Sequence, residues 1–169
     1  MNQLTFKTAL PFVGGIIERK NQDETELLIQ TRWKANVDPV YSGTLEFPAG
    51  VLDKPFESIY GALKREIYEE TGLHLKRIVS EDKTSEFSPN NDKSFGFRPF
   101  CCVQQLKNDK PWVGFIFLCE VELGKIIPQV DEVKEIRWIK KSEFEKIFRE
   151  SPEKIFTLEL GAWHYYFSS

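Results

Sequence analysis

At 169 residues and 41% hydrophobic content, with 14 phenylalanines, the chain is expected to form a single domain over residues 1–169 with one sizeable core and no length for a second full domain. A formal charge of −3 and a pI near 5.6 argue against nucleic acid and anionic membranes as partners, since both favour basic surfaces. Cys101, Cys102 and Cys119 are odd in number and lack CxxC spacing, so they read as reduced, mostly buried thiols of a cytoplasmic protein.

In chain order, the apolar run Ala9 to Ile17 ends in Glu18-Arg19-Lys20 without a small-residue cleavage site, which predicts a strand rather than a signal peptide. Glu26 to Arg32, containing Leu27, Leu28 and Ile29, predicts a second strand, and the polar Asn21-Gln22-Asp23 between the two predicts a hairpin. Arg32, Trp33 and Lys34 close that strand ahead of a long loop to Gly43; they read either as a partly exposed strand end or as side chains reaching toward a substrate. Thr44 to Phe47 predicts a short strand leading into Pro48-Ala49-Gly50, after which Asp53, Lys54 and Pro55 turn the chain.

A helix follows. Tyr60, Leu63 and Ile67 recur at three- and four-residue spacing, which makes one apolar stripe, and Gly72 stops the helix because glycine tolerates the left-handed conformation just past a helix end. At about 100° per residue, Glu66, Glu69 and Glu70 share a face beside that stripe. The small side chains of Ser58 and Ala62 continue this face, so the acids are expected to look into open space. Their placement opposes stability: each acid in the last turn costs roughly 0.3–1 kcal/mol against the helix dipole. The like-charged pair Glu66 and Glu70 adds on the order of 0.2–0.5 kcal/mol. Two readings follow, a solvated charged face or a cluster of hard carboxylate oxygens suited to Mg²⁺ or Mn²⁺.

Beyond the helix, Leu73 to Phe87 predicts one or two strands with a charged middle, and Ser88 to Ser94 a polar loop. Phe97 to Leu106 and Trp112 to Val121 predict strands joined by a turn over Lys107 to Pro111. Val113 to Cys119 is nearly all apolar, as expected of a central strand covered on both faces. Glu135 to Ile139 predicts the last strand. Ser142 and Glu145 have the spacing of a capping box for a helix reaching about Arg149. Ser151 and Pro152 predict the N-cap and first residue of a terminal helix carrying Phe156, Leu158, Leu160, Trp163 and Tyr166. No internal repeat, linker or low-complexity segment interrupts this order, which suits a mixed sheet flanked by helices.

The residues Gly50, Glu57, Arg65-Glu66, Ile67, Glu69-Glu70, Gly72 and Leu73 resemble the signature box of the Nudix hydrolases: glycine, glutamate, Arg-Glu, an aliphatic, Glu-Glu, glycine and an aliphatic. From Glu57 to Leu73 the spacing agrees at every position. One departure precedes it, since six residues separate Gly50 from Glu57 where the family has five, and Phe56 stands where glycine is common. The resemblance implies an α/β fold, a Nudix-like α/β/α sandwich with a mixed central sheet. The box helix lies on one side of that sheet and the terminal helices lie on the other or at an edge.

It also implies a pyrophosphohydrolase, a diphosphate hydrolase acting on acid anhydrides with Mg²⁺, or Mn²⁺ as the alternative. Glu66, Glu69 and Glu70 match the metal-ligand positions, and Ala49 matches the residue that offers its backbone carbonyl to the metal. Arg65 and Glu57 match a structural salt bridge holding loop to helix, with Gly50 and Gly72 as the box glycines. Members of the family take the general base from a box glutamate, here Glu66 or Glu69, or from a glutamate on a later loop. Here that loop is Gly124 to Val133 and the candidate is Glu132, with Asp131 behind it; a solvated acid at a strand start is the other reading. His74 and His164 are read as structural.

The favoured substrate class is a small-molecule nucleoside diphosphate linked to another group, such as ADP-ribose or a nucleoside-diphosphate sugar. Fifteen residues separate Leu73 from Pro89, a spacing similar to that of the ADP-ribose pyrophosphatase branch, and Phe47-Pro48-Ala49-Gly50 resembles that branch's entry. Asn90 stands near where the dinucleoside-polyphosphate branch has a tyrosine. Phe97, Trp112 or Trp33 is available to stack on a base, with core or edge packing as the other role for each. Three alternatives stay open: a nucleoside or deoxynucleoside triphosphate pyrophosphohydrolase, a non-catalytic Nudix-fold nucleotide sensor, and a prenyl-diphosphate isomerase that would need Cys101 or Cys102 facing its substrate. A homodimer is left open as well.

Overall fold

The computed structural model describes residues 9–34, 36, 39–79, 85–107, 111–128 and 132–169. The first apolar run forms β1 (Leu10–Asn21), which turns through Gln22 and Asp23 into β2 (Glu24–Arg32), with Glu18 opposite Leu27 and Asn21 opposite Glu24. This is the expected hairpin. The next strands are short: β3 (Leu45–Glu46) pairs with β2, and β4 (Ala49–Val51) pairs with β1. After the helix α1 (Ile59–Thr71) come β5 (Leu75–Ile78) and a small separate ribbon of β6 (Ser85–Phe87) and β7 (Ser94–Gly96). The remaining strands are β8 (Cys101–Gln104), β9 (Trp112–Val121) and β10 (Val133–Lys140), followed by α2 (Lys141–Glu150) and α3 (Leu160–Ser168).

The main sheet runs β10-β2-β1-β9-β5, with β3, β4 and β8 attached to β2, β1 and β9. Strands β1 and β9 are parallel while the other pairs are antiparallel, so the sheet is mixed. Its period-2 pattern divides the core between two faces. Val13, Ile17, Leu28, Phe117 and Cys119 point to the α1 side, where Ile59, Ala62, Leu63 and Ile67 cover them. Ile16, Leu27, Ile29 and Ile116 point the other way, onto Phe144 of α2 and Trp163 of α3. Strand β9 is thus covered on both faces, and the sandwich with a mixed central sheet is the observed architecture. Among the described residues no helix is long and apolar enough to cross a membrane.

Local expectations differ from the structure in four places. The strand expected over Phe97 to Leu106 shrinks to β8, because Pro99 has no N–H for a ladder and Phe97 instead packs on Phe95, Phe115 and Phe117. Ser142 does not cap α2: β10 runs straight into the helix, so Lys140 takes the N-cap position, without a side-chain capping bond, and Ser142 falls inside the first turn. Ser151 and Pro152 open a single 3₁₀ turn, Pro152–Lys154, and a second, Thr157–Glu159, precedes α3, so the terminal helix begins only at Leu160. Of the cysteines only Cys119 is buried; Cys102 lies on the outward side of β8 and is exposed. Residues 108–110 of the expected Lys107 to Pro111 turn, and 80–84 of the charged middle before Phe87, lie outside the described residues.

Candidate active site

The entry to α1 is set by local chemistry. Ser58 is the N-cap, its hydroxyl accepting the N–H of Gly61 at 3.0 Å, and Gly72 ends the helix at φ 72°, donating its N–H to the Tyr68 carbonyl. A Cβ on Gly50 would lie 1.9 Å from Oε2 of Glu66, so glycine here leaves the Glu66 carboxylate its place against the loop, and any larger residue would displace it. The extra residue before Glu57 is absorbed in a turn in which the Glu57 N–H donates to the Lys54 carbonyl at 3.2 Å. Phe56, fully exposed, takes the left-handed conformation there, with φ 62°.

Glu57 therefore still reaches Arg65, whose Nη2 and Nε donate to its two oxygens at 2.9 and 3.1 Å. The same guanidinium contacts Glu66, Glu69 at 3.1 Å and Asp53 at 3.4 Å, so one cation serves four carboxylates. The Arg65 hydrogen bonds hold Glu57 below the usual carboxylate range. Glu66 is pushed upward, because its burial outweighs the attraction of Arg65.

Glu70 departs from the expected open face. Its residue is 2% exposed, and Ala62 on the same face is fully buried, because β4 packs along this side of α1. The helical wheel gives the angle of this face but not that the entry strand covers it. Oε2 of Glu70 accepts the N–H of Ala49 at 3.0 Å and Nε2 of Gln30 at 2.9 Å. Gln30 also donates to Glu46 at 3.3 Å, and Glu46 pairs with Arg32 at 3.1 Å. Burial, and then the charge of Glu46, push the Glu70 carboxyl up to about 8. Burial likewise raises Glu46 against the pull of Arg32.

Gln30, Glu46 and the buried Glu159 are members of this neighbourhood that the sequence reading missed. Each left a trace, a polar residue beside apolar ones: Ile29-Gln30, Leu45-Glu46-Phe47 and Leu158-Glu159-Leu160.

A cavity of about 370 Å³ opens beside these residues. Its lining combines the acids Glu46, Asp53, Glu66, Glu69 and Glu132 with the apolar side chains of Phe12, Trp112, Phe156 and Leu158. Arg32 joins the two, its guanidinium 4.6 Å from the centre of the Phe156 ring while it pairs with Glu46. Glu132 is on the rim and bonds Lys34, which also lines the cavity, with Nζ to Oε2 at 2.5 Å. Asp131 lies outside the described residues.

Trp33 does not line the cavity; its ring carries the Lys134 ammonium at 4.1 Å. Phe97 is away from it, in the aromatic packing on the α1 side, whereas Trp112 lies in the wall edge-on to Phe12. His74 stacks on Tyr68 and His164 meets Tyr165, both outside the cavity lining. Among the described residues no three His, Cys, Asp or Glu side chains are gathered into one ligand set: Glu66 and Glu69 lean on Arg65, and Glu70 on Ala49 and Gln30. The donor set nonetheless suits a hard divalent cation, since acids outnumber cations along the cavity and the Glu66 and Glu70 carboxyls are both driven toward their neutral form.

No curated protein matches the chain. Solved structures do. A MutT protein from Methanosarcina mazei Go1 superposes with a TM-score of 0.61 at 18% identity, over 92% of this chain and 91% of that one. The NUDIX domain of Shewanella oneidensis NrtR, complexed with ADP ribose, gives 0.57 at 16% identity over 83% and 79%. A C. elegans Ap4A hydrolase in a binary complex gives 0.54 at 16% identity over 86% and 90%. Identities this low show a shared fold. The family is fixed by the family model described as NUDIX domain, which matches residues 11–158 and so takes in the sheet, the box helix and the whole cavity lining: the chain belongs to the NUDIX domain family.

Proposed function

We propose that this Nudix-type pyrophosphohydrolase, one catalytic unit over residues 1–169, hydrolyses the diphosphate of a nucleoside diphosphate joined to a second group, with ADP-ribose or a nucleoside-diphosphate sugar as substrate and Mg²⁺ or Mn²⁺ as cofactor. The observation that carries this reading is the mixed acidic and aromatic lining of the cavity. Its volume falls in the usual range for small-molecule sites. The aromatic side chains Phe12, Trp112 and Phe156 suit the base and ribose, and the acids of the lining suit a metal-neutralised diphosphate. Two of the structural neighbours are complexes, one of them with ADP ribose.

In this reading Glu66, Glu69 and Glu70, with the Ala49 carbonyl, would hold the divalent ion. When bound, the ion would neutralise the phosphate oxygens and lower the pKa of water. Arg65 keeps Glu66 and Glu69 turned toward the cavity and ties them to Glu57 and Asp53. Arg32 and Lys34 are the cations available to the outer phosphate oxygens. As Lys34 turns to phosphate it releases Glu132, whose carboxylate then takes the proton of the attacking water. All three thiols are free, as suits a reducing cytoplasm. Neither Cys101 nor Cys102 lines the cavity, so the isomerase alternative gains no support.

The test is a panel of ADP-ribose, nucleoside-diphosphate sugars, Ap4A and nucleoside triphosphates, assayed with Mg²⁺ and with Mn²⁺. AMP release from ADP-ribose is expected to dominate. Binding without turnover would favour the sensor, and a preference for triphosphates or Ap4A would move the substrate class.

A further inference from the structure

Between Leu45 and Val51 the chain changes partners. Leu45 and Glu46 lie opposite Thr31 and Gln30 of β2, whereas Ala49 to Val51 lie opposite Gly14 to Phe12 of β1. Pro48, at the change, has no N–H, and its carbonyl accepts from Gly15. The N–H of Phe47 donates to no strand; it reaches Oε2 of Glu159, 3.0 Å away and 112 residues further along the chain. The same oxygen accepts Nε1–H of Trp163 at 3.4 Å, and the residue is 1% exposed with its Oε1 unpartnered.

A carboxyl buried this completely is costly unless its acceptor role is needed. Its surroundings show the need. The Phe156 N–H donates to the Leu45 carbonyl at 2.9 Å, and Ile155 bridges Leu45 in parallel, so residues 155–159 grip the strand that leads to Ala49. Phe156 and Leu158 of the same segment line the cavity. Two buried glutamates thus hold the N–H groups on either side of Pro48, Glu159 that of Phe47 and Glu70 that of Ala49.

We propose that Glu159 is a positioning residue of the hydrolytic site: by accepting the Phe47 N–H where the strand changes partner, it fixes the Ala49-Gly50 backbone against Glu66 and Glu70. The proposal rests on the hydrolytic reading above. Burial and the neighbouring Glu46 push the Glu159 carboxyl well above its ordinary range, so a glutamine, neutral and of the same length, reproduces the acceptor.

The experiment compares wild type, Glu159→Gln and Glu159→Leu as full chains. It reads amide hydrogen exchange over Leu45 to Val51, Mn²⁺ affinity by calorimetry, and Mn²⁺-dependent hydrolysis of ADP-ribose. Glu159→Gln should match wild type in all three. Glu159→Leu should exchange faster over Leu45 to Val51 and bind Mn²⁺ more weakly. Its kcat at saturating Mn²⁺ should fall by about 10- to 100-fold, the usual consequence of an ångström-scale misplacement, with KM changed by less than about threefold.

A lower Tm with unchanged exchange in this segment, or faster exchange with unchanged kcat and Mn²⁺ affinity, would overturn the proposal. If Glu159→Leu fails to fold, Glu159→Asp decides, because it keeps the carboxyl but withdraws it by one methylene and should show the same losses in smaller measure. A wild type inactive on ADP-ribose would refute the substrate reading alone, since exchange and Mn²⁺ affinity still decide the role of Glu159.

Discussion

Oε2 of Glu70 accepts the backbone N–H of Ala49 at 3.0 Å, which joins the last turn of the box helix to the strand that enters the box. Glutamine keeps an oxygen for that bond and stays neutral, as burial and Glu46 already favour the neutral form of this carboxyl. Glu70→Gln is therefore expected to leave the metal-free Tm level or higher while weakening Mn²⁺ binding and abolishing most turnover. Glu69→Gln, at a half-exposed position on Arg65, should lose turnover with little change in Tm. Full activity in both variants would refute the proposed metal site.

The Arg65 guanidinium contacts Glu57, Glu66, Glu69 and Asp53. Truncation to alanine leaves the partly buried Glu57 and Glu66 without that partner. Given that hydrogen bonds to charged groups are worth about 1.5–3 kcal/mol, Arg65→Ala should destabilise by about 2 kcal/mol. Activity should fall with it, because the loop after Gly50 loses its tie to the helix. Denaturant melts run beside kinetics check this; lost activity with an unchanged melt would place Arg65 on the substrate phosphates instead.

The parts legible in the sequence are those whose cause is local. Ser58 and Gly72 bound the helix by chemistry within one turn, and Arg65 and Glu57 meet because the turn at Lys54 to Phe56 takes up the extra residue. What escaped is set by distant pairing. The wheel places Glu70 beside Glu66, yet only the path of β4 decides that Glu70 is buried, and its partner Gln30 lies 40 residues away. The same holds for Glu159, whose use depends on a strand changing partners. Ser142 has capping-box spacing, but no loop separates β10 from α2, so the spacing has no free helix end to act on.

The buried acids also set a pH dependence. Burial and the charge of Glu46 hold Glu159 well above its unfolded value, so the folded chain keeps a proton that the unfolded chain releases near pH 4.3. For such a group the contribution to stability is fully present below the unfolded pKa and is lost as pH rises toward the folded one. Metal-free Tm should thus decline as pH is raised above about 5, with a shallower slope in Glu159→Gln, whose amide does not titrate. Thermal melts from acid to mildly alkaline pH measure it, and equal slopes in the two proteins would assign the decline to Glu46 or Glu70.

The source of the base is decided at Glu132. Its carboxylate is on the cavity rim, 2.5 Å from the ammonium of Lys34, and both residues face the same space as Glu66 and Glu69. A general base contributes typically 10²–10⁴-fold, whereas losing one partly exposed ion pair at the cavity rim is worth about 1 kcal/mol or less to stability. Glu132→Gln should therefore lower kcat by about that factor with Mn²⁺ affinity and Tm nearly unchanged, because glutamine keeps the size and loses only the proton acceptor. Lys34→Met is the companion variant. Acting through phosphate, Lys34 should raise KM when removed, and kcat should fall far less than in Glu132→Gln. Near-native kcat in Glu132→Gln, with loss in Glu66→Gln or Glu69→Gln at saturating metal, would move the base into the box helix and leave the pair with Lys34 as a surface contact.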